Sequence, residues 1–389
     1  MDLVNSAYLS FGFFMLCIML SGALFVVWWN PLRIQKHFHD QGIRGPGYKP
    51  LLGNLMEIAQ IHRQVKRSPP LPLPSESKSH HYMAERIFPY VPFWSIKYEN
   101  IAAIIIFGKS AELGKRIGHL QVKLQDVTSK VLRIACIPGS RFIPNPLTSK
   151  CTWLRKEADK LIKELIKSRY LSKDEQENDF LGFLLSSALT QRQIEDECRV
   201  FSTAGNETIS IALSWAFMLL GTHTVWQDKA REEIDELNMI VNETLRLYPP
   251  GLLVVREAKK DIRLEGVDVP GGTTFVIPIL AIHYDKELWG DNAAEFDPSR
   301  FAEGAFKSSK HPKAFMPFTH GPRMCLGMNF ALLEIRLVLA TILQKFTFVT
   351  SPTYKHDPWY TLTMKPMHSL GNSTTIDFCF SSYVLETLC

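Results

Sequence analysis

No charged residue falls between Asp2 and Arg33, which excludes an ordinary solvated helix at the amino terminus. The apolar run Ala7 to Trp29 would measure about 35 Å as a helix, against a hydrocarbon layer of about 30 Å. Residues 1–30 are therefore read as a transmembrane anchor. A cleaved leader is disfavoured because the positive n-region, the short apolar core and the small-residue cleavage site are all missing. Arg33, Lys36 and Arg44 follow the run and only Asp2 precedes it, so the positive-inside rule places the body in the cytosol. Trp28 and Trp29 suit the membrane interface. The chain also lacks a zinc pattern of paired cysteines, a P-loop and a clustered basic stripe, which excludes the function classes that depend on them, nucleic-acid binding included. Its seven cysteines are an odd number, and with a cytosolic body this argues against a disulfide framework. No internal repeat is present. The net charge of +5 is mild, and the run Lys163 to Lys173 reads as a solvated helix face.

What the sequence does hold is enough apolar material for one large domain: 389 residues, 46% of them hydrophobic. A basic, Pro/Gly-rich linker over 31–54 leads to a body over 55–376, and 377–389 forms a tail. Pro69 to Pro74 with Ser75 to Ser79 reads as a local loop. Periodicity and stop signals predict helices over Thr148 to Lys167, Ile194 to Leu220, Val225 to Leu237, Met239 to Leu247 and Met328 to Gln344. Short strands fit Ile262 to Val267 and Phe275 to Ile279, parted by a turn at Pro270-Gly271-Gly272.

Chemistry concentrates in Phe318 to Gly327, which reads Phe-Thr-His-Gly-Pro-Arg-Met-Cys-Leu-Gly. The glycines permit a tight turn and close backbone approach to a flat ligand, with the cation Arg323 two residues before the sulfur of Cys325. Cysteine ligates metal as the thiolate, whose charge calls for cations and backbone N–H groups nearby. Arg323 and the amides after Cys325 can provide both, and the N-terminus of the following helix adds positive potential. For any lone cysteine the competing meaning is a buried residue in a Gly-rich turn. Upstream, Glu243 and Arg246 lie three apart on one helical face. Taken alone, that spacing more often marks a solvated pair.

Ala204-Gly205-Asn206-Glu207-Thr208 sits in the helix Ile194 to Leu220, which is apolar on almost every face beyond Ile209 and so predicted to be deeply buried. A glycine there costs about 1 kcal/mol relative to alanine, which predicts close packing or an interruption at Gly205. An acid and a hydroxyl on a buried helix also demand partners. One alternative has Thr208 bonding back to a helix carbonyl and Glu207 pairing with a surface lysine.

The loop resembles the haem-binding signature of the cytochrome P450 superfamily, Phe-x-x-Gly-x-Arg-x-Cys-x-Gly, at every fixed position. Glu243-Thr244-Leu245-Arg246 resembles that family's Glu-x-x-Arg helix, and Phe296 to Phe301 resembles the loop that adds a second arginine, Arg300. The resemblance implies a mainly α fold with a small β-sheet. It implies a structural lock of Glu243, Arg246 and Arg300, and heme b with iron on Cys325. Arg323, Phe318 and Gly327 would help seat the group, and Arg256 would hold a propionate. Glu207 and Thr208 would pass protons to the oxygen chemistry. The stretch from His283 to Trp289-Gly290 reads as structural, since His283 has no second ligand at metal-site spacing. Implied partners are an NADPH-cytochrome P450 reductase, O2, membrane lipid and an apolar small molecule, at the endoplasmic reticulum membrane.

Asn30 to Gln35, Gly45 to Pro50, Gly53-Asn54 and Phe346 to Tyr354 resemble the plant branch of cytokinin, gibberellin and brassinosteroid hydroxylases. That implies a terpenoid, steroid or hormone-like substrate, with Ala204, Leu252 to Val255 (Val254 among them) and Tyr360 to Thr363 (Leu362 among them) facing the pocket by analogy. The chain departs from its apparent relatives in two places. Residues near 100–108 pass straight to Phe107-Gly108-Lys109, omitting the helix that contacts the propionates, and a second gap falls near 234–238. A monooxygenase is therefore set against an impaired or inactive shortened isoform. A haem-thiolate isomerase or dehydratase is disfavoured by the Glu207-Thr208 pair.

Overall fold

The computed structural model describes residues 14–15, 18–19, 21–22, 25–43, 111–135, 145–171, 179–350, 354, 356, 358–360, 363–366 and 378–382. Helices α1 (Asn30–Asp40), α2 (Ala111–Ala135), α3 (Pro146–Leu171), α4 (Phe180–Leu185), α5 (Gln191–Thr222), α6 (Val225–Glu232) and α7 (Ile234–Leu247) precede the first described strand. Strands β1 (Val254–Glu257), β2 (Ile262–Leu264), β3 (Val267–Val269) and β4 (Thr274–Ile277) follow, then helices α8 (Ile279–His283), α9 (Lys286–Trp289) and α10 (Met328–Leu343). The carboxyl-terminal strands are β5 (Phe346–Thr350), β6 (Pro358–Tyr360), β7 (Met364–Pro366) and β8 (Phe378–Ser382). The described strands make four antiparallel pairs, β1 with β4, β2 with β3, β5 with β8 and β6 with β7.

The chain divides into two compact units, and the first takes Met1–Pro69, Lys130–Asn145 and Lys260–Gly271. Here a π-helical turn over Phe25–Trp29 runs into α1, whose Pro31 stands in the first turn, where no backbone N–H is needed. Phe14, Met15, Ile18, Met19, Phe25, Trp28 and Trp29 are exposed. No single described helix is long and apolar enough to cross a membrane, and much of the predicted span Ala7 to Trp29 lies outside the described residues. The same unit holds the β2–β3 hairpin. Its turn is Glu265-Gly266, with φ of 51° and 84°, the pair of positive values that a two-residue hairpin turn of matching twist requires. The predicted strand Ile262 to Val267 is thereby corrected. Glu265-Gly266 folds it back on itself, and Thr274–Ile277 pairs with Val254–Glu257 instead.

The second unit is built on α5. Thr190 caps it in a reciprocal box, the Gln193 N–H donating to Thr190 Oγ1 and the Thr190 N–H to Gln193 Oε1 at 2.9 Å. Ile209, Ile211, Ala212, Leu213, Trp215, Ala216, Met218, Leu219 and Leu220 are all buried, as the nearly all-apolar stretch predicts. They pack with Leu237, Ile240, Val241 and Leu245 of α7 and Ile335, Val338, Leu339 and Ile342 of α10. Earlier in the same helix, Ile194 and Cys198 join Ile117, Leu161, Ile162, Leu165, Ile166, Leu181 and Leu184 in a separate cluster. The run Lys163 to Lys173 is a solvated face only in part. Arg169 is buried and ion-paired to Asp179, whose other carboxylate oxygen caps α4. Helices α6 and α7 are parted by the single extended residue Glu233, so the predicted helix Val225 to Leu237 ends early and its last residues begin the next one. The tail contributes β8, which pairs along β5 from Phe346 to Thr350.

Candidate functional site

Helix α7 presents Glu243 and Arg246 on one face, and both are 0% exposed. Arg246 Nε and Nη2 donate to the two Glu243 oxygens at 2.7 and 2.8 Å. Its remaining N–H groups donate to the carbonyls of His283 (2.8 Å), Ala293 (2.6 Å) and Glu295 (3.1 Å), which uses the full donor set of the guanidinium. Glu243 Oε1 also accepts from the Asp297 N–H at 3.0 Å and lies 3.5 Å from Arg300 Nε. Arg300 donates in turn to the carbonyls of Trp289 and Asn292. Burial pushes the Glu243 carboxyl up, while Arg246, the Asp297 N–H and Arg300 pull it down. The three residues that the sequence grouped as a lock are thus brought together.

His283 ties this lock to the cysteine loop. Its Nε2 accepts from the Met316 N–H at 3.0 Å, so Nδ1 is the nitrogen that donates to the Arg246 carbonyl at 2.9 Å. Burial drives its pKa down to about 3, which keeps the ring neutral and this tautomer in place. Phe315 stacks on the imidazole. From there the chain turns through Thr319, whose N–H donates to the Met316 carbonyl and whose φ of 63° is unusual for a β-branched residue. Gly321, at φ 82°, permits the next turn. The Cys325 N–H closes the loop on the Phe318 carbonyl at 2.9 Å, with Met324 N–H to Gly321 and Thr319 Oγ1 to the Arg323 carbonyl. Phe318 packs against the main core. Cys325 faces outward between exposed Met324 and Leu326, and Gly327 leads into α10, whose first turn closes from Ala331 N–H to Gly327.

This donor set fits haem. A loop with one outward thiol, fixed through its backbone and flanked by apolar side chains, matches a group that needs one protein ligand to its iron and an apolar face. Among the described residues no group of three or more His, Cys, Asp and Glu side chains could hold a metal ion. Arg323 is exposed and Arg256 half-buried. Arg256 Nη1 donates to the Val255 carbonyl, and no hydrogen bond or ion pair among the described residues joins either arginine to the loop sulfur.

On α5, Glu207 is buried. Its Oε1 accepts from Thr363 Oγ1 at 2.9 Å. Thr208 does bond back, donating to the Ala204 carbonyl at 2.7 Å, which leaves its oxygen free to accept. The predicted interruption at Gly205 is corrected: α5 is continuous there, and a Cβ would meet no protein atom within 4 Å among the described residues. Ala204 is exposed. Leu252 packs against the main core and Val254 is half-buried, whereas Val255 is exposed. Because successive strand residues point to opposite faces, Val254 and Val255 cannot both face one pocket, and Val254 shares its side with Arg256. Leu362 lies outside the described residues. The contact between Glu207 and Thr363 spans 156 residues and leaves no local pattern, so sequence reasoning could not find it.

Glu334 of α10 was not singled out in the sequence, although an acid within Leu332-Leu333-Glu334-Ile335 was the available signal. It is 3% exposed and its Oε2 has no hydrogen-bond partner. Burial raises its pKa from 4.5 to about 7. An acid whose folded-state pKa is raised keeps its proton longer in the folded protein, so stability falls as pH rises from 4.5 through 7. By linkage the loss approaches about 3 kcal/mol. Glu334→Gln should melt with its parent near pH 5 and at a higher temperature near pH 8, as read by thermal denaturation at the two pH values. Equal gaps at both would show that Glu334 does not titrate in this window.

A family model described as Cytochrome P450 matches residues 98–370. A cytokinin hydroxylase of Arabidopsis thaliana is 38% identical over an alignment 296 residues long, covering 68% of this chain and 57% of that protein. The chain thus aligns with little more than half the length of this relative. Cytochrome P450 734A1 of the same plant is 28% identical over 487 residues, covering 91% of this chain and 94% of its own. Those 487 positions exceed the 389 residues present, so at least 98 of them have no counterpart here. The chain is shorter than these plant relatives. Among solved structures, the retinoic acid bound cyanobacterial CYP120A1 superposes with a TM-score of 0.62 and 26% identity, over 75% of this chain and 68% of that one.

Proposed function

The chain belongs to the cytochrome P450 family, and from that membership we propose that it is a membrane-anchored haem-thiolate monooxygenase. It would hydroxylate an apolar plant metabolite of terpenoid, steroid or hormone type, using O2 and electrons from NADPH through a reductase. The observation that carries this reading is the backbone-closed loop with Cys325 turned outward, joined through His283 to the Glu243–Arg246 lock. Heme b, when bound, supplies the iron at which O2 is reduced. Cys325 would ligate that iron as the thiolate, with its charge balanced by Arg323 and the positive end of α10. Arg256 and Arg323 would hold the propionates. Phe318 holds the loop to the core while Gly327 lets α10 start directly after it. Glu207 and Thr208 would carry protons inward, and Ala204, Leu252, Val254 and Leu362 would line the apolar substrate site.

A second reading, an impaired isoform, is favoured by the alignment positions that have no counterpart here. Propionate charges left poorly paired in a partly buried site cost free energy, and a missing pocket wall admits water. We expect the chain as it stands to show lower haem content and a lower product-to-NADPH ratio than a version with the segment near 100–108 restored. Both should be expressed with the reductase and compared on the same panel of plant hormones and triterpenoids. Equal values would mean that the apparent deletion is tolerated.

The exposed apolar residues from Phe14 to Trp29 support a single-pass anchor in the endoplasmic reticulum membrane with a cytosolic body. Protease added to intact microsomes should then digest the body. Protection until detergent is added would reverse the orientation.

A further inference from the structure

We propose that Thr363 is a positioning residue for Glu207, its hydroxyl setting the direction of the carboxyl on α5; this rests on the role for Glu207 proposed above. Thr363 is 6% exposed and Glu207 8%, so their 2.9 Å bond is shielded from competing water. The position of Thr363 is itself fixed from several sides. Its neighbour Met364 accepts from Trp215 Nε1 at 2.9 Å and donates its N–H to the Pro250 carbonyl at 3.1 Å. Trp215 stands about two turns beyond Glu207 on the same helix, so α5 grips this segment at two points. Trp215 in turn stacks on Tyr248, with ring centroids 4.3 Å apart and planes 15° off parallel. Tyr248 and Tyr354 hydroxyls bond the two nitrogens of the buried His356, at 3.0 and 3.1 Å. Each hydroxyl can donate to or accept from the ring nitrogen it faces, so both tyrosines are tied to one imidazole.

The contacts of Met364 therefore anchor the adjoining Thr363, whose hydroxyl can select a side-chain direction. A free glutamate on a helix samples several rotamers. Glu207 cannot do so without giving up the Thr363 donor in a buried place, where a lost partner is not replaced by water. The adjoining Thr208 lies one residue further along the helix, with its own hydroxyl donated to Ala204. Thr363 thus decides where Glu207 points relative to Thr208, although it belongs to the far end of the chain.

The test uses the full chain with Thr363→Val, which keeps the size and removes the hydroxyl, and Thr363→Ser, which keeps the hydroxyl. Isotope-edited infrared spectra of the haem-free protein read the Glu207 carboxyl band, assigned by its disappearance in Glu207→Gln. We expect Thr363→Val to shift that band and Thr363→Ser to leave it in place. After haem loading, the C–O stretch of the ferrous carbon-monoxide complex should shift in Thr363→Val in the same direction as in Glu207→Gln. The double variant should shift no further than Glu207→Gln alone. An unmoved carboxyl band in Thr363→Val, equal effects of serine and valine, or additive C–O shifts would each overturn the proposal. If the loaded parent shows no thiolate-type carbon-monoxide band, the monooxygenase reading fails, while the carboxyl band still decides whether Thr363 directs Glu207.

Discussion

Replacing Glu243 with alanine is expected to leave little soluble, haem-loaded protein. The substitution removes the carboxylate that takes two charge-assisted bonds from Arg246, one from the Asp297 N–H and the approach of Arg300. The arginine stays behind, fully buried, with its charge uncompensated. Breaking one partner of such a pair typically costs about 3–5 kcal/mol, because the survivor keeps its desolvation cost without the attraction. Against a total stability of about 5–15 kcal/mol, that is about a fifth or more of the whole. The damage would also spread toward the haem loop, since His283 bonds the backbone of Arg246 on one side and of Met316 on the other. Melting temperature and haem content of Glu243→Ala should both drop against the parent. A variant that melts and loads haem as its parent does would show that the network contributes little.

Cys325→Ser is expected to abolish the red-shifted carbon-monoxide band while leaving the fold almost untouched. The side chain is exposed, and the contact that fixes the residue runs from its backbone N–H to the Phe318 carbonyl, which serine keeps. The change replaces a soft anionic sulfur by a neutral oxygen, a far weaker iron ligand. Circular dichroism and melting should therefore follow the parent, and the spectrum should not. Survival of the band in Cys325→Ser would move the proximal ligand to another residue.

Much of this architecture is legible in the chain itself, for reasons that differ from element to element. The helix around Ile209 to Leu220 announces its burial because nearly every position is apolar. Glu243 and Arg246 are recoverable because helical geometry sets their spacing, and the cysteine loop because its glycines and arginine stand close together. Arg169 misleads: among lysines it reads as solvated, and only tertiary structure brings Asp179 to it. Glu265-Gly266 is masked in the sequence by Pro270-Gly271-Gly272, which carries the stronger turn composition, yet the two positive φ angles of the hairpin fall at the former pair. The Glu207–Thr363 bond and the Tyr248–His356–Tyr354 chain depend on a fold that returns distant segments to α5. Local periodicity carries no record of such returns.

The monooxygenase function proposed for this chain requires Cys325 to hold haem iron as a thiolate. The direct measurement is the carbon-monoxide difference spectrum of the purified, dithionite-reduced 389-residue chain after expression with ample haem supply. A red-shifted Soret band of the thiolate-ligated type is the predicted result, at reduced amplitude per protein if the missing segments weaken haem retention. Haem bound with only an unshifted band, or no haem at all in a folded chain, would contradict it.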